Sequence, residues 1–205
     1  MSAGLVWVCV ILGLGAVVVR RRTAAAAMVA AQSLCIGLAV SGLGSGGRAG
    51  DPLPGGGLIL KAAAVAALLW WAIGRTRQPR PIGDDAGPAV NAALALALAA
   101  VLIWLVPVDA VGAPTPVRGG LAVLACGLVM AMMRRATLFT LMGLLVAENG
   151  VTIAALGGRH GLPGVVELGV AFDLTVLVAV AVAFQSRILG AFGTTDTTAL
   201  RDLRD

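Results

Sequence analysis

The chain predicts an all-α fold, a polytopic bundle of about seven transmembrane helices. Three observations carry this reading. Of its 205 residues, 59% are hydrophobic and 12% are charged, about half the charge of an ordinary soluble domain. The mean hydropathy is +0.97. Apolar runs approaching the roughly 20 residues that span a bilayer as a helix recur along the whole length. They are rich in Ala, Leu and Val and lack the period-2 alternation of a β-barrel strand.

The runs fall at 3–19, 24–44, 58–74, 89–106, 117–133, 136–157 and 164–184. No basic segment precedes the first run, and Arg20, Arg21 and Arg22 follow it at once, so it reads as a retained span rather than a cleaved signal. The second run ends in the loop GSGGRAGDPLPGGG (44–57), whose Gly and Pro break helices. The third leads into RTRQPRPIGDDAGP (75–88), basic and then acidic, and the fourth ends in VPVDAVGAPTP (106–116). The fifth run is among the shortest, and only Arg134 and Arg135 part it from the sixth. That junction reads either as a tight hairpin or as a tilted, partly re-entrant fifth segment. The turn GGRHGLP (157–163) is short enough to make the sixth and seventh runs antiparallel neighbours. Residues 1–190 thus form the transmembrane domain. AFGTTDTTALRDLRD (191–205) is a short polar tail, in which Asp196 or a neighbouring Thr can cap a short helix.

Arginine placement sets the expected orientation. Arg20, Arg21, Arg22, Arg75, Arg77, Arg80, Arg134, Arg135, Arg187, Arg201 and Arg204 collect on one side, against Arg48, Arg118 and Arg159 on the other. The richer side is cytoplasmic by the positive-inside rule, which puts the C-terminus inside, the N-terminus outside and the chain in the cell membrane. Trp7 and Trp104 then fall near the outer boundary, and Trp70 and Trp71 near the inner one.

The net charge of +5 does not signal nucleic acid, because its arginines flank apolar runs instead of forming a phosphate-binding surface. Cys9, Cys35 and Cys126 lie in separate runs without CxxC spacing and read as packing residues. His160, between glycines in the last turn, reads as an exposed loop residue. The chain has no internal repeat, Gly-rich phosphate loop, paired metal ligands or nucleophile elbow, so it is not expected to be an enzyme by itself.

What remains is charge inside the membrane: Glu148, Glu167, Asp173 and Lys61. An acid or lysine at the centre of a spanning helix costs about 2.5–3.5 kcal/mol, so such residues face protein or water and suggest function. Glu148 and Asp173 lie about 14–15 Å from the outer ends of their runs, near mid-bilayer, while Lys61 and Glu167 are about 5 Å in. Glu148, Asn149 and Thr152 can share a face, and Gly150 beside them lets a neighbouring backbone, or water, approach. Glu167 and Asp173 point about 120° apart. Plainer readings stay open for each: Lys61 snorkels to headgroups, Glu167 is a helix-start acid, and Glu148 and Asp173 are neutral acids bonded between helices. The functional reading is a proton relay, which needs buried acids that load and unload.

The last third also resembles a known family. AENGVTIAALGGRHGLPGVVELGVAFDLTVLVAV (147–180) and FGTTDTTALRDLRD (192–205) resemble hydrogenase-4 component E. The shared features are the E-N-G triplet, the turn followed by V-E-L-G-x-x-F-D, and the F-G-x-T-D-T-x-x-L-R-x-L tail. That family is the small membrane component of formate hydrogenlyase and other group 4 [NiFe] hydrogenase complexes. It is similar in turn to the K component of respiratory complex I and the C component of multisubunit Na⁺/H⁺ antiporters. By motif, Glu148 and Glu167 match the intramembrane glutamates of those proteins. The resemblance implies a non-catalytic subunit of an oxidoreductase complex, beside antiporter-like and anchor membrane subunits and a cytoplasmic hydrogenase arm. It implies no cofactor in this chain, with [NiFe] and Fe–S centres in partner subunits. The alternatives are a relative of that C component within a cation/proton antiporter assembly, and a purely structural assembly subunit.

Overall fold

A computed structural model describes residues 2–40, 87–108, 113–134 and 137–158, together with 59–60, 62–64, 66–67, 69–71 and 74. Five helices are defined: α1 (Ala3–Val18), α2 (Arg22–Val40), α3 (Pro88–Leu105), α4 (Pro114–Met133) and α5 (Thr137–Gly157). The described residues between 59 and 74 are also helical. Over their described residues, six of the seven expected runs therefore coincide with helix, and the seventh, 164–184, lies outside the described residues. Four helices (α2, α3, α4 and most of α5) are long and apolar enough to cross a membrane, while α1 and Ala62–Trp71 are shorter apolar helices.

Local chemistry sets the helix ends. Pro88 and Pro114 each occupy the first turn of their helix, where the fixed φ suits a helix and the missing N–H has no partner to lose. α3 stops at Leu105, just before Val106 and Pro107. Val106 is held extended, at φ −90° and ψ 123°, as a residue preceding proline is. α4 continues unbroken for 20 residues to Met133 and α5 begins at Thr137, and the two helices pack side by side as the arms of a helical hairpin.

The α4–α5 hairpin is held backbone to backbone. A Cβ added at Gly120 would lie 2.5 Å from the Ala154 nitrogen and 2.6 Å from the Gly150 oxygen, and one at Gly143 would lie 2.5 Å from the Ala131 nitrogen. Added at Gly127 or Gly150, it would meet the nitrogens of Ala147 and Leu124. No side chain larger than hydrogen fits at these four positions. The Ala113 N–H donates to the Gly157 oxygen at 2.8 Å. Residue 113 is thus level with 157, 120 with 150 and 127 with 143, giving rungs one heptad apart along an antiparallel pair.

Contacts to α4 also set the direction of α1. A Cβ at Gly119 would strike Val6, and one at Gly13 would lie 3.6 Å from the Cys126 Cβ. The two contacts share one sequence offset, so α1 and α4 run parallel. α1 and α2 are antiparallel, with Gly15 against Met28 and Gly13 against Gln32. α1, α2, α5 and α4 then close a ring in that order, and α3 packs outside it against α1 and α4. The buried stripe of α3 is narrow, comprising Asn91, Ala95 and Ala99. Its outward residues include Leu96, Val101 and Trp104, the last 84% exposed, as suits a helix whose surroundings are hydrocarbon.

Arg134, placed by its sequence among the flanking charges, is buried in the structure. Its Nη2 donates to the carbonyl oxygens of Val17 at 2.7 Å and Val19 at 3.2 Å. Its guanidinium lies 4.8 Å from the centre of the Phe139 ring. The residue after α4 thus caps the C-terminal end of α1, where carbonyls lack helical partners and the dipole favours a cation.

The glycine contact makes a direct test. Gly127→Ala should destabilise the protein by about 1–3 kcal/mol or more through overpacking. Gly4→Ala, where nothing lies within 4 Å, should be neutral or stabilising by up to about 1 kcal/mol. Thermal melting of the detergent-solubilised protein compares the two.

Candidate functional site

The polar centre of the described structure lies inside the ring, halfway along its helices. It is built from Gln32 and Ser33 of α2, Asn149 of α5 and the Cys9 carbonyl of α1. Gln32, Ser33 and Asn149 are 1%, 7% and 4% exposed. Gln32 Nε2 donates to the Cys9 oxygen at 2.8 Å. Asn149 Nδ2 donates to Gln32 Oε1 at 3.1 Å and to Ser33 Oγ at 3.0 Å. Ser33 Oγ returns a longer bond of 3.4 Å to Asn149 Oδ1.

Each partner is available for a physical reason. The Cys9 carbonyl has a second lone pair beyond its helical bond. Gly13, one turn further along α1, keeps that approach clear, since a Cβ added there would crowd Gln32 Nε2 at 3.3 Å. Asn149 uses both amide hydrogens, so the costliest omission, an unmade donor in a dry interior, is avoided there. Asn149 stands about 18 Å from one end of α5 and about 12 Å from the other, and Gln32 about 15 and 12 Å from the ends of α2. In a bilayer this level is the midplane.

The three residues that interrupt the apolar run of α5 face three ways. Gly150 faces α4. Asn149 faces α2. Glu148 is half-buried, its Oε2 sealed from solvent, and lies in the third sector between the exposed Leu144 and Val151. Steps of 100° per residue divide one helix among two packing seams and a third sector that carries the carboxyl. The Thr152 hydroxyl turns back to its own helix and donates to the Glu148 carbonyl at 3.0 Å. Of the expected site, then, the structure brings Asn149 into the buried network, with Glu148 and Thr152 beside it. Lys61, Glu167 and Asp173 lie outside the described residues, as does the polar tail.

Gln32 and Ser33 were not singled out from the sequence. The available signal was AAQSL (30–34), two adjacent polar residues midway through an apolar run. Neither is ionisable, so a search for intramembrane charge passes over them. Cys9 and Cys126 are buried packing residues, and all three cysteines are free. Among the described residues no three of His, Cys, Asp or Glu come together to hold a metal ion.

Fold and site define the class: an all-helical membrane protein with a neutral polar network at mid-span. No protein-family model matches the chain, and no solved structure matches it. Over 153 residues it is 28% identical to Uncharacterized protein Rv0085 of Mycobacterium tuberculosis, an overlap covering 72% of this chain and 70% of that protein.

The network has a measurable worth. Asn149→Leu and Gln32→Leu should each lower stability by about 1–2 kcal/mol, and the pair should be coupled by about 0.6–1.7 kcal/mol, the range for hydrogen bonds between membrane helices. Thr152→Val should cost less than about 0.5 kcal/mol, since its bond stays within one helix. A double-mutant cycle on melting in detergent measures all three.

Proposed function

We propose that this chain is an integral-membrane, non-catalytic subunit of a hydrogenase-4/formate hydrogenlyase-like oxidoreductase related to complex I. In this reading Glu148 contributes to proton translocation or to its coupling with electron transfer. One observation carries it: a carboxyl group halfway along a membrane-length helix, held in the sector that neither packing seam of that helix occupies. An acid at that depth is costly, and a stability role would be met more cheaply by an apolar side chain. The resemblance of 147–180 and 192–205 to hydrogenase-4 component E supplies the host complex.

Glu167, Asp173 and Lys61 extend the set of intramembrane charges along the same chain. The reading takes seven spans in the cell membrane, with the N-terminus outside and the C-terminal tail cytoplasmic. Antiporter-like and anchor subunits would flank the bundle, and basic inner loops would meet the cytoplasmic hydrogenase arm. The [NiFe] and Fe–S centres belong to those partner chains.

Two experiments test this. Mild-detergent purification through a tag on this chain should recover a large metal-containing arm. Its absence would overturn the host assignment in favour of a place in a multisubunit cation/proton antiporter. In the assembled complex, Glu148→Gln should uncouple electron transfer from proton translocation. Normal assembly with unchanged translocation would overturn the role of Glu148.

A further inference from the structure

We infer that Gln32 and Ser33 of α2 are positioning residues for Glu148, acting through Asn149. The inference rests on the reading of Glu148 as a coupling carboxyl and adds α2 to its site. Asn149 is the next residue in the chain, so whatever fixes its azimuth fixes that of Glu148 one helical step away. Its amide is held at two points on α2, Gln32 Oε1 at 3.1 Å and Ser33 Oγ at 3.0 Å. Gln32 is anchored in turn on the Cys9 carbonyl of α1 at 2.8 Å. The chain of bonds therefore runs from α1 through α2 to the residue beside Glu148.

The α4–α5 seam holds the side of α5 away from Glu148, where only glycine fits against α4. The bonds to α2 add a directional constraint on a second side, next to Glu148, and a buried polar residue that fixes register is the best-attested use of such groups. The network's side chains, Gln32, Ser33 and Asn149, are neutral amides and a hydroxyl, so they are assigned a positioning role beside the carboxyl rather than a charge-carrying one.

Carbodiimide labelling of the full-length protein in native membranes tests this. Dicyclohexylcarbodiimide enters the apolar phase and forms a stable adduct with protonated carboxyls, read at Glu148 by mass spectrometry as the labelled fraction of the peptide that carries it. Asn149→Leu and Gln32→Leu should each change the Glu148 labelling rate by about three- to twentyfold, the worth of one interhelical bond expressed as an equilibrium shift. Ser33→Ala should act in the same direction and less. The exchange Gln32→Asn with Asn149→Gln restores one long and one short amide across the seam and should return the rate toward wild type.

Wild-type rates in Asn149→Leu and Gln32→Leu overturn the inference, as does absence of Glu148 labelling in the wild type. Failure of the exchange to restore the rate in normally accumulating protein also overturns it. If none of these variants accumulates in the membrane, the network is folding glue and the inference fails. Because labelling needs no host complex, its outcome is independent of the Glu148→Gln coupling test. The positioning role and the coupling role can therefore fail separately.

Discussion

Everything in this structure is arranged around the approach of α4 to α5 at Gly120, Gly127, Gly143 and Gly150. In hydrocarbon there is no hydrophobic gain from bringing two apolar helices together, because lipid tails are as apolar as leucine. Association must come from van der Waals contact and hydrogen bonds, and both grow as the backbones close. Glycine on both sides permits that closeness, at a conformational cost of about 1 kcal/mol per residue relative to alanine. Its recurrence at heptad spacing keeps the contact on one face for the length of the hairpin. With α4 so placed, Gly119 receives Val6 and Gly13 faces Cys126, which sets α1 parallel to α4. Arg134 then reaches back from the end of α4 to cap α1. α2 completes the ring by its polar bonds to α5.

The same contact explains the composition of α5 near its middle. A helix that gives one sector to backbone contact must place a small residue there, and Gly150 is that residue. The neighbouring sector faces α2, where the approach is made by side chains, and Asn149 is long enough to reach two of them. The remaining sector carries Glu148. Glycine, amide and acid are thus three solutions to three different surroundings, adjacent only because 100° of turn separates successive residues.

Much of the helical layout was legible in the sequence because it depends on run length and breaker residues, which are local. The start of α3 beside Pro88 and its stop before Pro107 are examples. α4 instead begins at Pro114, three residues before the expected run, because prolines read as loop breakers suit the first turn of a helix. The oddity of Glu148, Asn149 and Gly150 was legible too, since each is costly in an apolar helix. The direction each one faces was not, because azimuth is set by partners distant in the chain: Ser33 and Asn149 are 116 positions apart. Arg134 misled for a related reason. A basic residue after an apolar run is ordinarily a flanking charge, and only the nearby end of α1 turns it into a buried cap. Gly120 and Gly127 looked like any glycines in a membrane helix until their opposites on α5 were known.

The chemistry of the network bears on what it is for. Interhelical hydrogen bonds in membranes are worth about 0.6 kcal/mol on average, because the separated helices find other partners in the bilayer. An apolar core of equal volume would hold α2 to α5 about as well. What an apolar core lacks is direction. Asn149 with both hydrogens placed, on Gln32 and on Ser33, admits one azimuth of α5 and one height relative to α2. A rotation of α5 by a single residue step would take Asn149 off Gln32 and Ser33 and bring Asn149 or Val151 into the place of Gly150, where no side chain fits against α4. The polar bonds and the glycine seam therefore select the same azimuth from two different sides of the helix.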